Sequence, residues 1–467
     1  MTRRKNPKVG IDFARLKLRK TLSGTGSSTN ERRGIMGQLL AKIEGKNAVI
    51  AIFGLGYIGL SLTNAFTKCG FKVIGYDIDT NKIASLKRGE NYLGFLPLDY
   101  LFEALKNKRF IPTAELSDLK DVDVFIVSVP TPLNSEHQPE MRFVKNAVSS
   151  VASKLIGDEL IIFQSTSYPG TTEEVVMPIL EKDGFKVGES IFLAHVPERE
   201  DAGTPNFDLY NVPRLIGGVT PKCSEIAATL YKHITKKIHI CSSAKIAEAA
   251  KVFENTYRLI NIAFVDEMKE AFDHLGIDIM EVIDASSTKP YGFTRFVPGP
   301  GIGGECIPVD PVYLANKIKA NDGPTTLIEA AEVVNARAPY FVLQKVIEAL
   351  NKQKKCLSLS SIFVIGVAFK KDVSDIRESP ALKVMELLLK NEAKISYYDP
   401  FVQSLPRFHL ESTPITEEAL KKADCLLILT DHSEIDWQYV IDNSSLVVDT
   451  RQVSYGIKKG KEKVVHA

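Results

Sequence analysis

Paired cysteines, an excess of one charge sign and long apolar runs are all missing from the sequence. The six cysteines are scattered without a C-x-x-C motif, which argues against a zinc ribbon or a disulfide framework, and no metal site is predicted. The formal net charge is only +2, so the bulk charge favours neither nucleic acid nor a membrane as a partner. The most apolar long stretch, residues 48–66, contains Gly54, Gly56 and Gly59, and it therefore indicates a strand, a turn and a helix rather than a transmembrane segment.

The composition is that of a globular chain with more than one core. With 467 residues, of which 44% are hydrophobic and 25% charged, the chain exceeds a single domain and predicts two or three. No signal peptide is recognised at the start, and unpaired cysteines fit a reducing compartment, so a cytoplasmic location is predicted. Residues 1–46 are predicted to form a basic N-terminal extension, either a solvated tail or a short surface helix, with contact to an anionic surface as the alternative.

Apolar strands alternate with helical patterns along the rest of the chain. This alternation predicts an α/β fold with two Rossmann-like, doubly wound parallel-sheet domains, at 47–240 and 351–467. Between them, residues 241–350 form a central helical region. Its long helix is predicted from Ser242 to Leu275, with Ser242 or Ser243 as the cap, Gly276 as the end, and a surface suited to a homodimer. The predicted strands are 49–53, 71–77, 122–129, 159–163, 191–195, 361–366, 395–399, 425–430 and 446–449.

A G-x-G-x-x-G motif follows the first strand and opens a helix. This arrangement gives a tight turn and a helix N-terminus that can face a pyrophosphate. Asp77 ends the next strand, eighteen residues after Gly59, where a carboxylate can bind a ribose 2′-hydroxyl and repel a 2′-phosphate. The pattern therefore predicts NAD as the cofactor. Lys82 can face the adenosine of this cofactor or can equally be a solvated lysine. The residues assigned to this site are Gly54, Gly56, Tyr57, Ile58, Gly59, Asp77 and Lys82.

A second glycine-rich loop ends at Cys306, and Asp310 follows four residues later. A cysteine there can trap an aldehyde, so that a second hydride can leave and the resulting thioester can be hydrolysed. A buried structural cysteine is the alternative, and spacing alone does not decide between the two. Lys251 and Asn255 share one face of the long helix, where the lysine can stabilise an oxyanion; an ordinary surface lysine is again the alternative.

Together, these motifs resemble the UDP-glucose/GDP-mannose dehydrogenase family from Val49 to about Arg451. Seven motifs occur in the family's order, which argues against a chance resemblance. Besides the first glycine motif they are Val129-Pro130-Thr131-Pro132, Ser165-Thr166, Pro197-Glu198, Lys251-x-x-x-Asn255, Gly303-Gly304-Glu305-Cys306 with Asp310, and Phe369-Lys370-Lys371-Asp372 through Asp375-Ile376-Arg377-Glu378-Ser379.

The resemblance implies a role for each matched residue. Cys306 resembles the nucleophile, Lys251 the oxyanion stabiliser and Glu198 the general base. Asp310 and Thr166 are similar to the residues that hold the catalytic water, with Asn255 nearby. Further implied contacts are Thr131 and Ser165 on the nicotinamide side and, towards the nucleotide sugar, Arg199, Gly303, Lys370, Arg377 and Arg451. Outside the matched motifs, Arg295 and Arg337 are further candidates for a sugar or phosphate contact. The second α/β domain is implied to bind UDP, and the long helix to form the dimer core.

The loops around Glu198 and Cys306 resemble the branch of the family that acts on UDP-N-acetylhexosamines. The resemblance favours oxidation of UDP-N-acetylglucosamine at C6 for polysaccharide precursor synthesis. UDP-glucose, UDP-N-acetylmannosamine and UDP-N-acetylgalactosamine are the alternative substrates. Two other classes compete: a two-electron dehydrogenase, which needs neither Cys306 nor a second α/β domain, and a non-catalytic nucleotide-sugar-binding protein, which needs no catalytic set.

Overall fold

The computed structural model describes residues 37–93, 96–200, 209–304 and 306–467. Residues 37–44 are helical, and their Leu39 and Ile43 are buried in the core of the first α/β domain. This end of the predicted N-terminal extension therefore packs on that domain. The basic stretch of the extension, and Glu305 beside the candidate nucleophile, lie outside the described residues.

The first α/β domain has one sheet, which among the described residues has eight strands in the order β3-β2-β1-β4-β5-β6-β7-β8. Adjacent strands are parallel except β6 and β7, which are antiparallel. Its elements are β1 (Val49–Phe53), α1 (Tyr57–Cys69), β2 (Lys72–Tyr76), α2 (Thr80–Lys87), α3 (Asp99–Lys106), β3 (Phe110–Thr113), β4 (Val124–Val127), α4 (Arg142–Ala152), β5 (Leu160–Phe163), a π-helical turn (Thr172–Val176), α5 (Met177–Leu180), β6 (Phe192–His195), β7 (Arg214–Gly218), α6 (Pro221–Tyr231) and β8 (Ile238–Ile240).

Four helices connect the two α/β domains: α7 (Ala244–Leu275), α8 (Ile279–Ser287), α9 (Asp310–Lys319) and α10 (Thr326–Lys352). The predicted long helix is confirmed: the Ser243 side chain accepts a hydrogen bond from the Ile246 amide, and Gly276 ends the helix with a φ of 67°. Helices α9 and α10 both pack against α7. The long helix is therefore the support on which the loop between α8 and α9 rests.

The second α/β domain has a sheet of five parallel strands, within the described residues, in the order β10-β9-β13-β14-β15. The predicted fold class is thus confirmed. The Ser379-Pro380 pair at the start of α11 is typical of a capped helix, but the Ser379 hydroxyl donates to the Val367 carbonyl (2.8 Å) instead of capping the helix. The elements are β9 (Ser361–Ile365), α11 (Pro380–Lys390), β10 (Lys394–Tyr398), β11 (Ser404–Leu405), β12 (Leu410–Glu411), α12 (Glu417–Lys422), β13 (Cys425–Ile428), α13 (Trp437–Asp442), β14 (Val447–Asp449) and β15 (Val464–His466).

Within the described ranges, no helix has both the length and the apolar character needed to cross a lipid bilayer. The same residues contain no group of three His, Cys, Asp or Glu side chains placed to hold a metal ion.

Candidate active site

The glycine loop between β1 and α1 has the shape that a dinucleotide needs. Gly54 has a φ of +92°, and a Cβ on Gly59 would lie 1.8 Å from the Gly54 carbonyl oxygen, so neither position accepts a side chain. A Cβ on Gly56, by contrast, would have no atom within 4 Å. The backbone at Gly56 is therefore open to a ligand at the N-terminus of α1, which fits a bound pyrophosphate.

Asp77 fixes this loop from the end of β2. One carboxylate oxygen accepts the Leu55 amide (2.8 Å), and the other accepts the Asp79 amide (2.9 Å). Lys82, which the sequence left open as a solvated residue, lies 3.5 Å from the same carboxylate. Tyr57 donates a hydrogen bond to Glu200, and Ile58 packs against the first core. The loop thus has the turn, the helix N-terminus and the acid that NAD binding requires.

Two loops at the carboxyl ends of β4 and β5 are joined to each other and to α9. The Ser165 hydroxyl accepts the Val129 amide (2.9 Å) and donates to the Val129 carbonyl (2.8 Å). Thr131 forms a side-chain hydrogen bond with Tyr313 of α9, whose hydroxyl also donates to the Pro132 carbonyl (3.0 Å). Thr166 follows Ser165 and is half-buried. This is the edge of a parallel sheet at which ligands bind.

Helix α7 brings its two candidate residues to the start of α9. Lys251 and Asn255 are both buried and lie one turn apart. The Asn255 amide donates to the Asp310 carboxylate (2.5 Å), and the Asp310 amide donates to the Cys306 carbonyl (2.9 Å). Cys306 itself is exposed, which excludes the alternative of a buried structural cysteine that spacing had left open.

The glycine-rich loop before Cys306 is held from both sides. The Gly299 amide donates to Asp266 (2.8 Å), and the Gly299 carbonyl accepts from Lys269 (2.9 Å). On the other side, the Gly304 amide donates to the Arg377 carbonyl (3.0 Å) of the second α/β domain. A Cβ on Gly303 would lie 2.7 Å from the Glu378 carbonyl oxygen, so this contact requires glycine.

Glu198 is buried in a network of donors. One of its oxygens accepts from the Arg214 guanidinium (2.7 Å) and from the Arg199 amide (2.7 Å). The other accepts from the Gln164 side-chain amide (3.2 Å), and the Gln164 oxygen accepts from the Tyr231 hydroxyl (2.5 Å). An amide at position 164 can make this donation, whereas a carboxylate in its place could not.

The structure places the cationic candidates in two groups. The second α/β domain contains Arg377, Lys370 and Arg451. Arg377 and Arg451 border the loop before Cys306, and a Cβ on Gly299 would lie 3.1 Å from the Arg451 guanidinium. Arg199, Arg295 and Arg337 belong to the first domain and the central region. Among the described residues, Arg199 pairs with Glu254, Arg295 with Asp284, Arg337 with Glu270 and Arg377 with Asp375.

Sequence reasoning missed the buried charges that support these residues. Arg214 is fully buried beside Glu198, and Asp266 and Lys269 are buried beside Gly299. Glu248 accepts from the Gly170 and Thr172 amides (2.6 and 2.7 Å), which ties the loop after β5 to α7, and burial raises its pKa to about 7. The sequence feature that could have revealed these buried charges is a charged residue at a core-facing position of an apolar strand or helix.

Comparison with known proteins agrees with this geometry. Residues 48–235 match the NAD binding domain of the UDP-glucose/GDP-mannose dehydrogenase family, residues 245–337 its central domain, and residues 363–455 its UDP binding domain. The fold and the glycine loop define an NAD-dependent dehydrogenase. More narrowly, the chain belongs to the UDP-glucose/GDP-mannose dehydrogenase family, whose members act on nucleotide sugars.

Several relatives cover most of the chain. A UDP-N-acetyl-D-mannosamine dehydrogenase of Pyrococcus horikoshii is 33% identical over 410 residues, which is 86% of this chain and 95% of that protein. A UDP-N-acetyl-D-glucosamine 6-dehydrogenase of Pseudomonas aeruginosa is 33% identical over 392 residues, 83% and 92% of the two chains. A solved UDP-D-ManNAc dehydrogenase of Pyrococcus horikoshii, 32% identical, superposes with a TM-score of 0.81 and covers 90% of this chain and 98% of that one.

Proposed function

We propose that this protein oxidises C6 of a UDP-N-acetylhexosamine, with UDP-N-acetylglucosamine favoured, to the uronic acid used in polysaccharide precursor synthesis. The observation that carries the proposal is an exposed Cys306 next to a buried Asn255–Asp310 hydrogen bond, on a loop fixed between α7 and the second α/β domain. Relatives acting on N-acetylglucosamine and N-acetylmannosamine derivatives are similarly distant, at 33% identity each, so the choice of hexosamine rests on the loops around Glu198 and Cys306.

Cys306 is proposed as the nucleophile. Its sulfur adds to the C6 aldehyde, and the thiohemiacetal is oxidised to a thioester. Lys251 faces the negative charge that develops on the C6 oxygen, and its burial strengthens that interaction. NAD, when bound, accepts the hydride in each of the two oxidations.

Hydrolysis of the thioester is proposed to use a water held by Asp310 and Thr166. The hydrogen bond from Asn255 fixes the Asp310 carboxylate, so the water has one defined acceptor. Glu198 takes a proton from this water, and its surrounding donors hold the carboxylate in one orientation. The bond between Cys306 and the substrate carbon then breaks and releases the acid.

Residues on both sides of the nucleophile are proposed to hold the ligands. Thr131 and Ser165, joined to α9 and to β4, line the nicotinamide side. Gly303 is proposed to meet the sugar through its backbone, because its Cβ position is filled by the second α/β domain. Cationic side chains of both domains and the central region are proposed to attract the diphosphate. These cations are Arg199, Arg295, Arg337, Lys370, Arg377 and Arg451.

A second copy of the chain is the proposed partner, and the cytoplasm the proposed location. Helix α7 exposes an apolar stripe made of Phe253 (67% exposed), Tyr257 (47%) and Phe264 (57%). Together with Phe296, these side chains border two clefts of about 670 and 400 Å³. Apolar surface of this extent supports burial against an identical surface.

The direct test is NADH formation by the purified protein with a panel of UDP-glucose, three UDP-N-acetylhexosamines and GDP-mannose. Two NADH per UDP-N-acetylhexosamine consumed is the expected result, with UDP-N-acetylglucosamine as the preferred substrate. Two NADH from UDP-glucose alone would overturn the proposed branch and leave the covalent route intact. One NADH per sugar would overturn the covalent route.

NADP is expected to be a much poorer cofactor than NAD. The buried Asp77 carboxylate lies at the end of β2, where a 2′-phosphate would meet its negative charge. Steady-state rates with the two cofactors check this, and equal values for kcat/KM would contradict it. Asp77→Asn is the matched variant, because it removes the charge and keeps one acceptor for the Leu55 amide. It should bring the kcat/KM for NADP closer to the kcat/KM for NAD.

A further inference from the structure

One buried guanidinium lies between two carboxylates in the first α/β domain. Arg214, on β7, is fully buried. Its Nη1 is 2.7 Å from Glu198 Oε1, and its Nη2 is 3.7 Å from Glu200 Oε1. Within the described residues, Arg214 Nε and Nη2 and Glu200 Oε2 have no hydrogen-bond partner. The cluster therefore has more negative than positive groups, and Glu200 holds the guanidinium less closely than Glu198 does.

The proton content of this cluster changes within the physiological range. Burial, followed by the nearby charge of Glu198, raises the pKa of Glu200 to about 8. Burial would lower the pKa of Arg214, but the two carboxylates more than offset it. Tyr57 of α1 and Tyr231 of α6 also face the cluster, and burial raises the pKa of both, so they stay neutral. Glu200 is therefore the group whose protonation changes the charge beside Arg214.

Glu200 also contacts the dinucleotide loop. Its carboxyl group accepts hydrogen bonds from the Tyr57 hydroxyl and from the Leu209 amide, and both bonds favour its ionised form. Tyr57 lies within the Gly54–Gly59 loop, where α1 begins. A chain of contacts thus runs from this loop through Glu200 and Arg214 to Glu198.

We propose that Glu200 is a positioning residue for thioester hydrolysis, acting through Arg214 on the strength of Glu198 as a base. The proposal rests on the proposed function, in which Glu198 receives the proton. In that step the water oxygen bonds to the thioester carbon, and the water proton passes to a Glu198 oxygen. The carbon–sulfur bond then breaks, and its electron pair returns to the Cys306 sulfur. When Glu200 is ionised, it competes with Glu198 for the positive charge of Arg214. The guanidinium then offsets less of the negative charge of Glu198, so the Glu198 carboxylate accepts the water proton more readily.

The test is Glu200→Gln, which keeps an acceptor for Tyr57 and removes the charge. After one round of oxidation, decay of the acyl-enzyme is followed by intact-protein mass from about pH 6.5 to about pH 9.5. The wild type should show a rise of about threefold or more with a midpoint near pH 8. Glu200→Gln should lack this rise and keep the rate that the wild type has at low pH, whereas Glu200→Asp should recover a rise.

Two further variants make the outcome decisive. Glu225→Gln removes an exposed carboxylate from α6 and should leave the wild-type pH profile unchanged. Tyr57→Phe removes a hydrogen bond that lowers the pKa of Glu200, so the midpoint of the rate profile should move to higher pH. If Glu200→Gln does not fold, Tyr57→Phe tests the role of Glu200 in its place. An unaltered profile in Glu200→Gln, or in Tyr57→Phe where the former is unfolded, overturns this inference alone. Absence of NADH formation by the wild type with every UDP-sugar overturns the proposed function as well.

Discussion

Replacing Cys306 with serine is expected to abolish formation of the carboxylate product, with a loss of more than about 10³-fold in rate. A serine hydroxyl is far harder to ionise than a thiol at neutral pH, and an ester releases its alkoxide less readily than a thioester releases a thiolate. The loop should keep its structure, because the two side chains have similar size and Cys306 is exposed. The measurement is uronic acid formed per enzyme, by mass spectrometry.

Cys356→Ser is the matched control for this variant. Cys356 is also exposed, but it lies between α10 and β9, where its sulfur donates to the Ser358 carbonyl of its own turn (3.3 Å). It should retain wild-type activity. Undiminished acid formation by Cys306→Ser would falsify the covalent step.

Replacing Arg214 with leucine is expected to lower the free energy of unfolding by about 3–5 kcal/mol, because buried carboxylates lose their cation. The effect should grow with pH. Burial raises the pKa of Glu200 to about 8 even beside Arg214, so stability falls as the pH rises towards 8; without the guanidinium the pKa should rise further, and the fall should be steeper in the variant. Urea unfolding at about pH 5.5 and about pH 8 measures both the loss and its direction.

Arg88→Leu is the control for the loss of a guanidinium. Arg88 pairs with Glu90 at an exposed position of the same domain, and such pairs contribute little to stability. A loss for Arg214→Leu as small as the one for Arg88→Leu would mean that water reaches the buried carboxylates.

The fold followed from local patterns, whereas the fine arrangement of the sheet did not. The glycine loop, the capped long helix and the continuous apolar strands each depend on residues close in sequence, so their prediction succeeded. Strand β7 was not predicted, and it pairs antiparallel with β6 in a sheet that is otherwise parallel. The position of β7 depends on the path of the chain after Glu198, and a local sequence pattern does not predict that path.

The candidate site was predicted as a set of residues, and the structure adds what holds them. Spacing indicated that Lys251 and Asn255 share a helix face, but the hydrogen bond from Asn255 to Asp310 joins residues 55 positions apart. Likewise, Arg214 is next to Glu198 only because β7 lies beside β6. Phe253 and Tyr257 lie within the long helix predicted from the sequence, but its periodicity could not show that the chain itself leaves them exposed.

The contact between the nucleophile's loop and the second α/β domain restricts how this protein can be recombined with its relatives. A Cβ on Gly303 would lie within 3 Å of Phe369, Glu378 and Pro380, and a Cβ on Gly304 would lie 2.9 Å from Phe369. A chimaera that exchanged only the second domain to change sugar preference would join surfaces that did not evolve together. Exchanges that carry residues 299–310 with residues 367–380 should give active hybrids far more often than a single crossover in α10.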